Sequence, residues 1–217
     1  MNLLKAASTI SLLTLTSRIT GLVREIMVAT YFGASAWTDA FNVAFRLPNL
    51  LRRMFAEGAF SQAFVPLLSQ TRQTQSEEQT QELIDQVSTA LLWILAAISL
   101  VGVLLAPVLV WLTASGLHPE AFDAAVWMTR LMFPYAGLIS LVALSAGILN
   151  TWKHFAVPAV TPALLNLAII GAAVAFHKLV HPPIFALAIG VMIGGVAQLA
   201  VQWPALRKYR SEERRVG

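Results

Sequence analysis

The chain has 217 residues, of which 57% are hydrophobic and only 12% charged, and its mean hydropathy is +0.69. A water-soluble domain carries about twice that charged fraction, so an ordinary soluble globule is excluded and an integral membrane protein is indicated. The absence of cysteine excludes disulfides and thiolate metal sites, and the net charge of +4 matters less than where the positive residues lie.

The opening, MNLLKAASTISLLTLTSR, has the outline of a signal peptide. Its charged start is thin, however, and no small-x-small cleavage site precedes the next apolar stretch, so it is expected to be retained. The first apolar segment runs from about residue 10 to 32 and is broken by Arg18, Arg24 and Glu25. Arg18 and Glu25 share a helical face, whereas Arg24 lies about 120° from Arg18 on a straight helix. Thr20-Gly21 between them predicts a bend that brings both arginines to one cavity; the alternative is an Arg–Glu pair locked against a neighbouring helix. Gly33-Ala34-Ser35-Ala36 then makes a tight connection.

The second segment, residues 37–68, reads as one long helix kinked at Pro48, whose missing amide donor interrupts the ladder. Asp39, Asn42, Arg46, Asn49, Arg53 and Glu57 recur at intervals of three and four, so they lie on one face. The other faces are Phe, Ala, Leu, Val and Met. An Arg or Asp near the bilayer centre costs roughly 2.5–3.5 kcal/mol, while each Leu, Phe or Val returns only about 0.3–0.6. This polar face therefore looks into a protein-lined cavity, unless Arg52 and Arg53 merely snorkel at a helix end. A helix continued to Leu68 would be about 48 Å long, beyond the ~30 Å hydrocarbon core. Its far end, with Ala56, Ala59, Phe60, Ala63, Phe64 and Leu67 at helical spacing, is expected to emerge half-buried.

Thr71 to Asp85 is polar and acid-rich and reads as a solvated loop or short surface helix. Four cleaner segments follow, at about 87–114, 126–149, 155–176 and 184–203. Arg130 is the one charge they carry, Phe133-Pro134-Tyr135 marks a kink, and Gly190, Gly194 and Gly195 permit close helix contact. The whole reads as an all-α, polytopic bundle of six membrane-spanning helices. With the N-terminus taken as cytoplasmic, inside loops hold Lys5, Arg72, Lys153, Arg207 and Lys208, against Lys178 alone outside. That asymmetry places both termini in the cytoplasm.

Nothing in the sequence suggests an enzyme. No nucleophile–base pair or phosphate loop is present, and Asp39 and Glu57 lie about five turns apart, too far for joint acid–base chemistry. His177 and His181 supply two ligands at most, with Pro182-Pro183 following, and read as a solvated loop without metal. No cofactor and no nucleic acid partner are expected. The tail from Arg210 to Gly217, RSEERRVG, shares no character with what precedes it and resembles the translation of a sequencing-adapter oligonucleotide. It is expected to be non-native, the chain before it being a truncated gene product.

Several of these stretches together carry a resemblance: MNLLK at 1–5, Ser17-Arg18, Arg24, Phe32-Gly33-Ala34, TDAF at 38–41, LPNLLRR at 47–53, FAEGAFSQAFVP at 55–66 and ILNT at 148–151. Up to about Tyr209 the chain resembles the MurJ/MviN family of lipid II flippases, within the multidrug/oligosaccharidyl-lipid/polysaccharide exporter superfamily. The resemblance implies two six-helix lobes, of which residues 1–209 match the first, and alternating access by rocking of one lobe against the other. It further implies that Arg18, Arg24 and Arg52, with Asp39, face a cavity for the pyrophosphate and sugar-peptide head group of lipid II. Arg46, Arg53 and Glu57 join this set from the helical face described above. Glu25 stands where the family often has Asp, and Arg46 where Lys is common; the absent second lobe is the serious departure. Membrane potential or a coupled cation is the implied driver, in the bacterial cytoplasmic membrane. The partners implied are lipid II, membrane lipids and the missing C-terminal lobe. The competing readings are an exporter of another cargo, such as a drug or polysaccharide-linked lipid, and a non-transporting membrane scaffold.

Overall fold

A computed structural model describes the backbone of residues 3–56 and 59–216 and the side chains of residues 8–51, 53–54 and 62–206. All of the regular structure in these residues is helical: α1 Leu3–Phe32, α2 Ala36–Ala56, α3 Ala59–Thr74, α4 Glu77–Leu104, α5 Ala106–Ala114, α6 Pro119–Thr151, α7 Ala156–Phe176 and α8 Phe185–Val216. Four are long and apolar enough to cross a membrane by length and composition: α4, α6, α7 and Phe185–Leu206 of α8. α1, with Arg18, Arg24 and Glu25, and α2, with Asp39, Arg46 and Arg53, are not in that set over their described residues. Among the described residues, four of the six spans expected from sequence thus meet the criterion of length and composition.

The pattern of burial is that of a protein dissolved in lipid. Apolar side chains such as Leu92, Trp93, Leu104, Leu112 and Leu179 are exposed, while Thr129, Ser140, Ser145, Thr161, Asn166, Gln198 and Gln202 are buried. Where the solvent is hydrocarbon, outward apolar surface costs nothing and polar groups gather where they can bond one another. α6 is the central post, buried along most of its length, with α2, α3, α4, α5, α7 and α8 all touching it.

Gly33 closes α1 at φ +62°, the left-handed conformation that glycine adopts without steric cost. Two residues on, the Ser35 hydroxyl accepts the Thr38 amide at 3.3 Å and so caps α2, while the Thr38 hydroxyl donates to the Gly33 carbonyl at 2.9 Å. The expected tight connection is thereby a helix stop and a helix start back to back. α1 itself runs unbroken through Thr20-Gly21.

The segment expected as one helix over 37–68 is described as α2 up to Ala56 and α3 from Ala59, the two residues between them lying outside those described. Phe64, Leu68 and Thr71 then form the buried face of α3 against α4 and α6. Pro48, the expected kink, sits inside α2, and Glu57 and Gly58 lie outside the described residues.

Of the two forms expected for the acid-rich stretch 71–85, the helical one is found, as the adjoining ends of α3 and α4. α3 runs to Thr74, and α4 starts at Glu77 under a capping box in which Ser76 and Gln79 exchange side-chain-to-backbone bonds. Glu77 and Glu78 in the first turn complement the helix dipole. The helix expected at 87–114 needs correction: it divides at Leu105, because Pro107 lacks the amide a continuous helix needs and instead occupies the opening turn of α5. At the C-terminal end, the α8 backbone runs on to Val216, with side chains beyond Leu206 outside those described.

The glycine seam expected in the last span is present. A β-carbon at Gly190 would lie 2.7 Å from the Ile169 Cα, and one at Gly194 would lie 2.7 Å from Leu165 Cδ1. α7 and α8 therefore meet nearly backbone to backbone, and dispersion contacts substitute for the hydrophobic effect that lipid cannot supply. Because backbone crowds Gly190, no rotamer change can make room for a side chain. Gly190→Val should sharply reduce membrane abundance and melting temperature, whereas Gly171→Val, with no atom within 4 Å of its β-carbon position, should change neither. Equal behaviour of the two variants in detergent-solubilised melting curves would contradict the seam.

Candidate functional site

α2 is amphipathic within the bundle. Ala40, Phe41, Ala44 and Pro48 are buried toward α6, whereas Asn42, Arg46 and Asn49, spaced four and three apart, open on a cleft beside α1. This cleft has a volume of 360 Å³, and Arg24, Glu25, Val28 and Ile169 complete it from α1 and α7. A second cavity of 380 Å³ continues it between α2, α6, α7 and α8, sharing Arg24, Phe45 and Asn49. Phe45 stacks on Phe41 at 5.8 Å and meets Tyr135 at 6.2 Å, forming an aromatic partition along the boundary.

Arg24 stands where the two cavities join. Its Nη1 donates to Asn166 Oδ1 on α7 at 3.1 Å, and its Nη2 is paired with Glu25. Asn166 is buried and uses its amide fully, Nδ2 donating to the Ser17 carbonyl at 3.2 Å and to Thr20 Oγ1 at 3.3 Å. The Thr20 hydroxyl in turn donates to the Ser17 carbonyl at 2.9 Å. Reversing the amide would set its oxygen against the Ser17 carbonyl and its NH₂ against a guanidinium, so the network itself fixes the orientation. Asn166 thereby holds α7 to α1 and holds Arg24 in place.

Deeper in, the second cavity is lined by uncharged polar groups. Gln198 Nε2 donates to the Thr161 carbonyl at 2.8 Å, Gln202 Nε2 to Thr161 Oγ1 at 3.1 Å, and Thr161 Oγ1 to the Val157 carbonyl at 3.0 Å. These bonds join α7 to α8 just where Pro162 removes a donor from the α7 ladder.

The sequence-expected residues divide. Arg24 and Arg46 line one cleft between α1 and α2. Glu25 neutralises the former, and Arg46 makes no ion pair among the described residues, so one positive charge is left uncompensated. Arg18 is exposed and lines neither cavity; α1 is continuous between it and Arg24, and six positions on one helix set the two on different faces. Asp39 is exposed in the first turn of α2 and Arg53 in its last, where each complements the helix dipole, and neither lines a cavity. The side chain of Arg52 and the whole of Glu57 lie outside the described residues. His177 donates through Nδ1 to the Ala173 carbonyl at 2.8 Å and sets its ring edge-on to Tyr31.

Sequence reasoning missed Asn166, Thr161, Gln198 and Gln202. The available signal was polarity: each interrupts a segment otherwise free of charge, where a side-chain amide needs a partner.

A cationic cleft should favour anions in its reactions. The chain has no cysteine of its own, so a single Asn42→Cys variant reports on the cleft. A negatively charged methanethiosulfonate should modify it at least about threefold faster than a positively charged one, and Arg46→Gln should abolish the preference. Equal rates with Arg46 intact would argue against an electropositive cleft.

A family model described as lipid II flippase MurJ matches residues 28–216. Among curated relatives, the chain is 53% identical over 210 residues to a protein of Burkholderia cenocepacia named lipid II flippase MurJ, covering 96% of this chain and 41% of the relative. A protein of Vibrio cholerae named probable lipid II flippase MurJ is 41% identical over 215 residues, covering 95% of this chain and 41% of its own. Among solved structures, one of lipid II flippase MurJ in an inward closed conformation superposes with a TM-score of 0.73 at 30% identity, over 88% of this chain and 41% of that one. The chain spans about two fifths of the length of these relatives.

Proposed function

The chain belongs to the lipid II flippase MurJ family, and on that premise we propose that it forms the first lobe of a flippase for a lipid-linked peptidoglycan precursor, lipid II. The observation that carries this reading is the convergence of Arg24 and Arg46 on one cleft inside a lipid-facing bundle. Guanidinium groups bind phosphate oxygens through paired donors, which suits the pyrophosphate of such a head group while the lipid tail stays in the bilayer. The surface outside the cleft presents Arg18, Asp39 and Arg53, and these are proposed to face the space that a second lobe would close. The other lobe is the partner against which this one rocks, driven by membrane potential or a coupled cation. No catalytic residue and no cofactor are required, because translocation makes and breaks no covalent bond.

The cleft's polar residues lie on α1 and α2, so both helices cross the bilayer beside the four apolar ones. Six spans of the bacterial cytoplasmic membrane then result, with α3 on the cytoplasmic face and both termini in the cytoplasm. Cysteines at Gln75 and Glu120, both exposed, should react with an impermeant reagent from opposite sides of the membrane. Reaction from one side would overturn this topology.

Transport is testable by joining this chain in frame to the remaining length of the Burkholderia cenocepacia relative. The joined protein should support growth of a bacterium depleted of its own lipid II flippase, and this chain alone should not, since a single lobe has nothing to rock against. Charge-assisted hydrogen bonds contribute roughly 1.5–3 kcal/mol each, so Arg24→Ala should weaken head-group capture by about one to two decades and fail to support growth at normal membrane abundance. Arg24→Lys keeps the charge without the fork and should retain partial function. Normal growth of the Arg24→Ala protein would remove Arg24 from the head-group path.

A further inference from the structure

We infer that Asn166 is the permanent holder of Arg24 and Glu25 its displaceable counter-ion, so that an anion in the cleft reaches the Arg24 fork only by exchange for the Glu25 carboxylate. The inference rests on the head-group reading above and specifies which anions that site takes. The two partners of the Arg24 fork differ in how they are held. Asn166 is 7% exposed and bonded at both ends of its amide, to Arg24 on one side and to Ser17 and Thr20 on the other. Withdrawing it would strand polar groups inside the bundle. The Glu25 side chain is 66% exposed, sits next to Arg24 in sequence, and can swing into the open cleft without disturbing a helix. Both ends of the exchange are present in one 360 Å³ space, because Arg24, Glu25 and Arg46 all line it.

This arrangement sets a threshold. A neutral ligand cannot replace the carboxylate, and a monocarboxylate replaces it without gain. A pyrophosphate group carries more charge and more oxygens, so it can take the vacated Nη2 and reach Arg46 as well. The cleft thus selects phosphate-class polyanions over carboxylates, and the acid beside Arg24 is what makes it selective. Asn166 keeps the guanidinium aimed while the exchange takes place. It is a positioning residue and acts through Arg24.

The test uses the whole chain in lipid nanodiscs, titrated with inorganic pyrophosphate, with Arg24→Leu as the reference for site-specific binding. Glu25→Gln removes the competitor without touching a buried group and should tighten binding about tenfold. Asn166→Asp places a carboxylate that cannot leave beside Nη1 and should weaken binding about tenfold while the chain remains folded. The double variant, with one carboxylate removed and one added, should return toward the original affinity. A purely structural Asn166 would instead lower the melting temperature and leave affinity unchanged. Unaltered affinity in Glu25→Gln, with binding still dependent on Arg24, would overturn the exchange and leave the head-group reading standing. Binding indifferent to Arg24, or none in any variant, would overturn both.

Discussion

A guanidinium cannot be neutralised by losing its proton, so an arginine carried into a membrane protein must be given partners or water wherever it stands. Arg24 is the place where this constraint shapes the molecule. Its partner Asn166 lies 142 positions along the chain, and their bond brings the first helix against the seventh. The same asparagine reaches the Ser17 carbonyl and the Thr20 hydroxyl, so three bonds join α1 to α7 at one level of the bundle. Leu12, Leu15, Ile19, Leu22 and Ile26 of α1 face outward, while Met27, Val28 and Phe32 pack against the core. The polar clasp adds to that packing in placing the helix that supplies the cleft's first arginine.

The rest of the bundle provides a rigid wall for that clasp. α6 is packed on nearly every side, and α8 lies against α7 along a glycine seam too close to admit a side chain at Gly190. Close approach of helices matters here because lipid tails are as apolar as leucine and give no hydrophobic incentive to associate. Packing density and interior hydrogen bonds carry the stability. Arg72 shows the same economy at the membrane-surface end of the bundle: its guanidinium lies 4.6 Å from the Trp152 ring and donates to the Thr151 carbonyl at the end of α6. One cation thus ties α3 to α6 and complements a helix dipole.

The cleft is graded along its length. At the α1–α2 end it is charged, with Arg24, Glu25 and Arg46; past the Phe45 partition it is lined by the amides and hydroxyls of Asn166, Thr161, Gln198 and Gln202. The charged side chains of Glu25 and Arg46 are exposed and the neutral ones of Asn166, Thr161, Gln198 and Gln202 buried, the order expected from the cost of desolvating each.

The sequence by itself determined the membrane class, the amphipathic face of α2 at Asn42, Arg46 and Asn49, the glycine seam of the last helix and the family. Each is local: composition, the angular position of a residue about its own helix axis, or a motif in consecutive positions. Tertiary structure decided that Arg24 and Arg46 share a cleft while Arg18, six positions from Arg24, faces outward. It decided that Phe64 and Leu68 of α3 pack on α4 and α6. It also decided that Asn166 is the partner of Arg24, a pairing that no spacing in the sequence encodes. The physical reason is common to all three. Periodicity states which way a side chain points around its own axis, but the rotation of one helix toward another is set by contacts between residues far apart in the chain, and those exist only once the bundle is assembled.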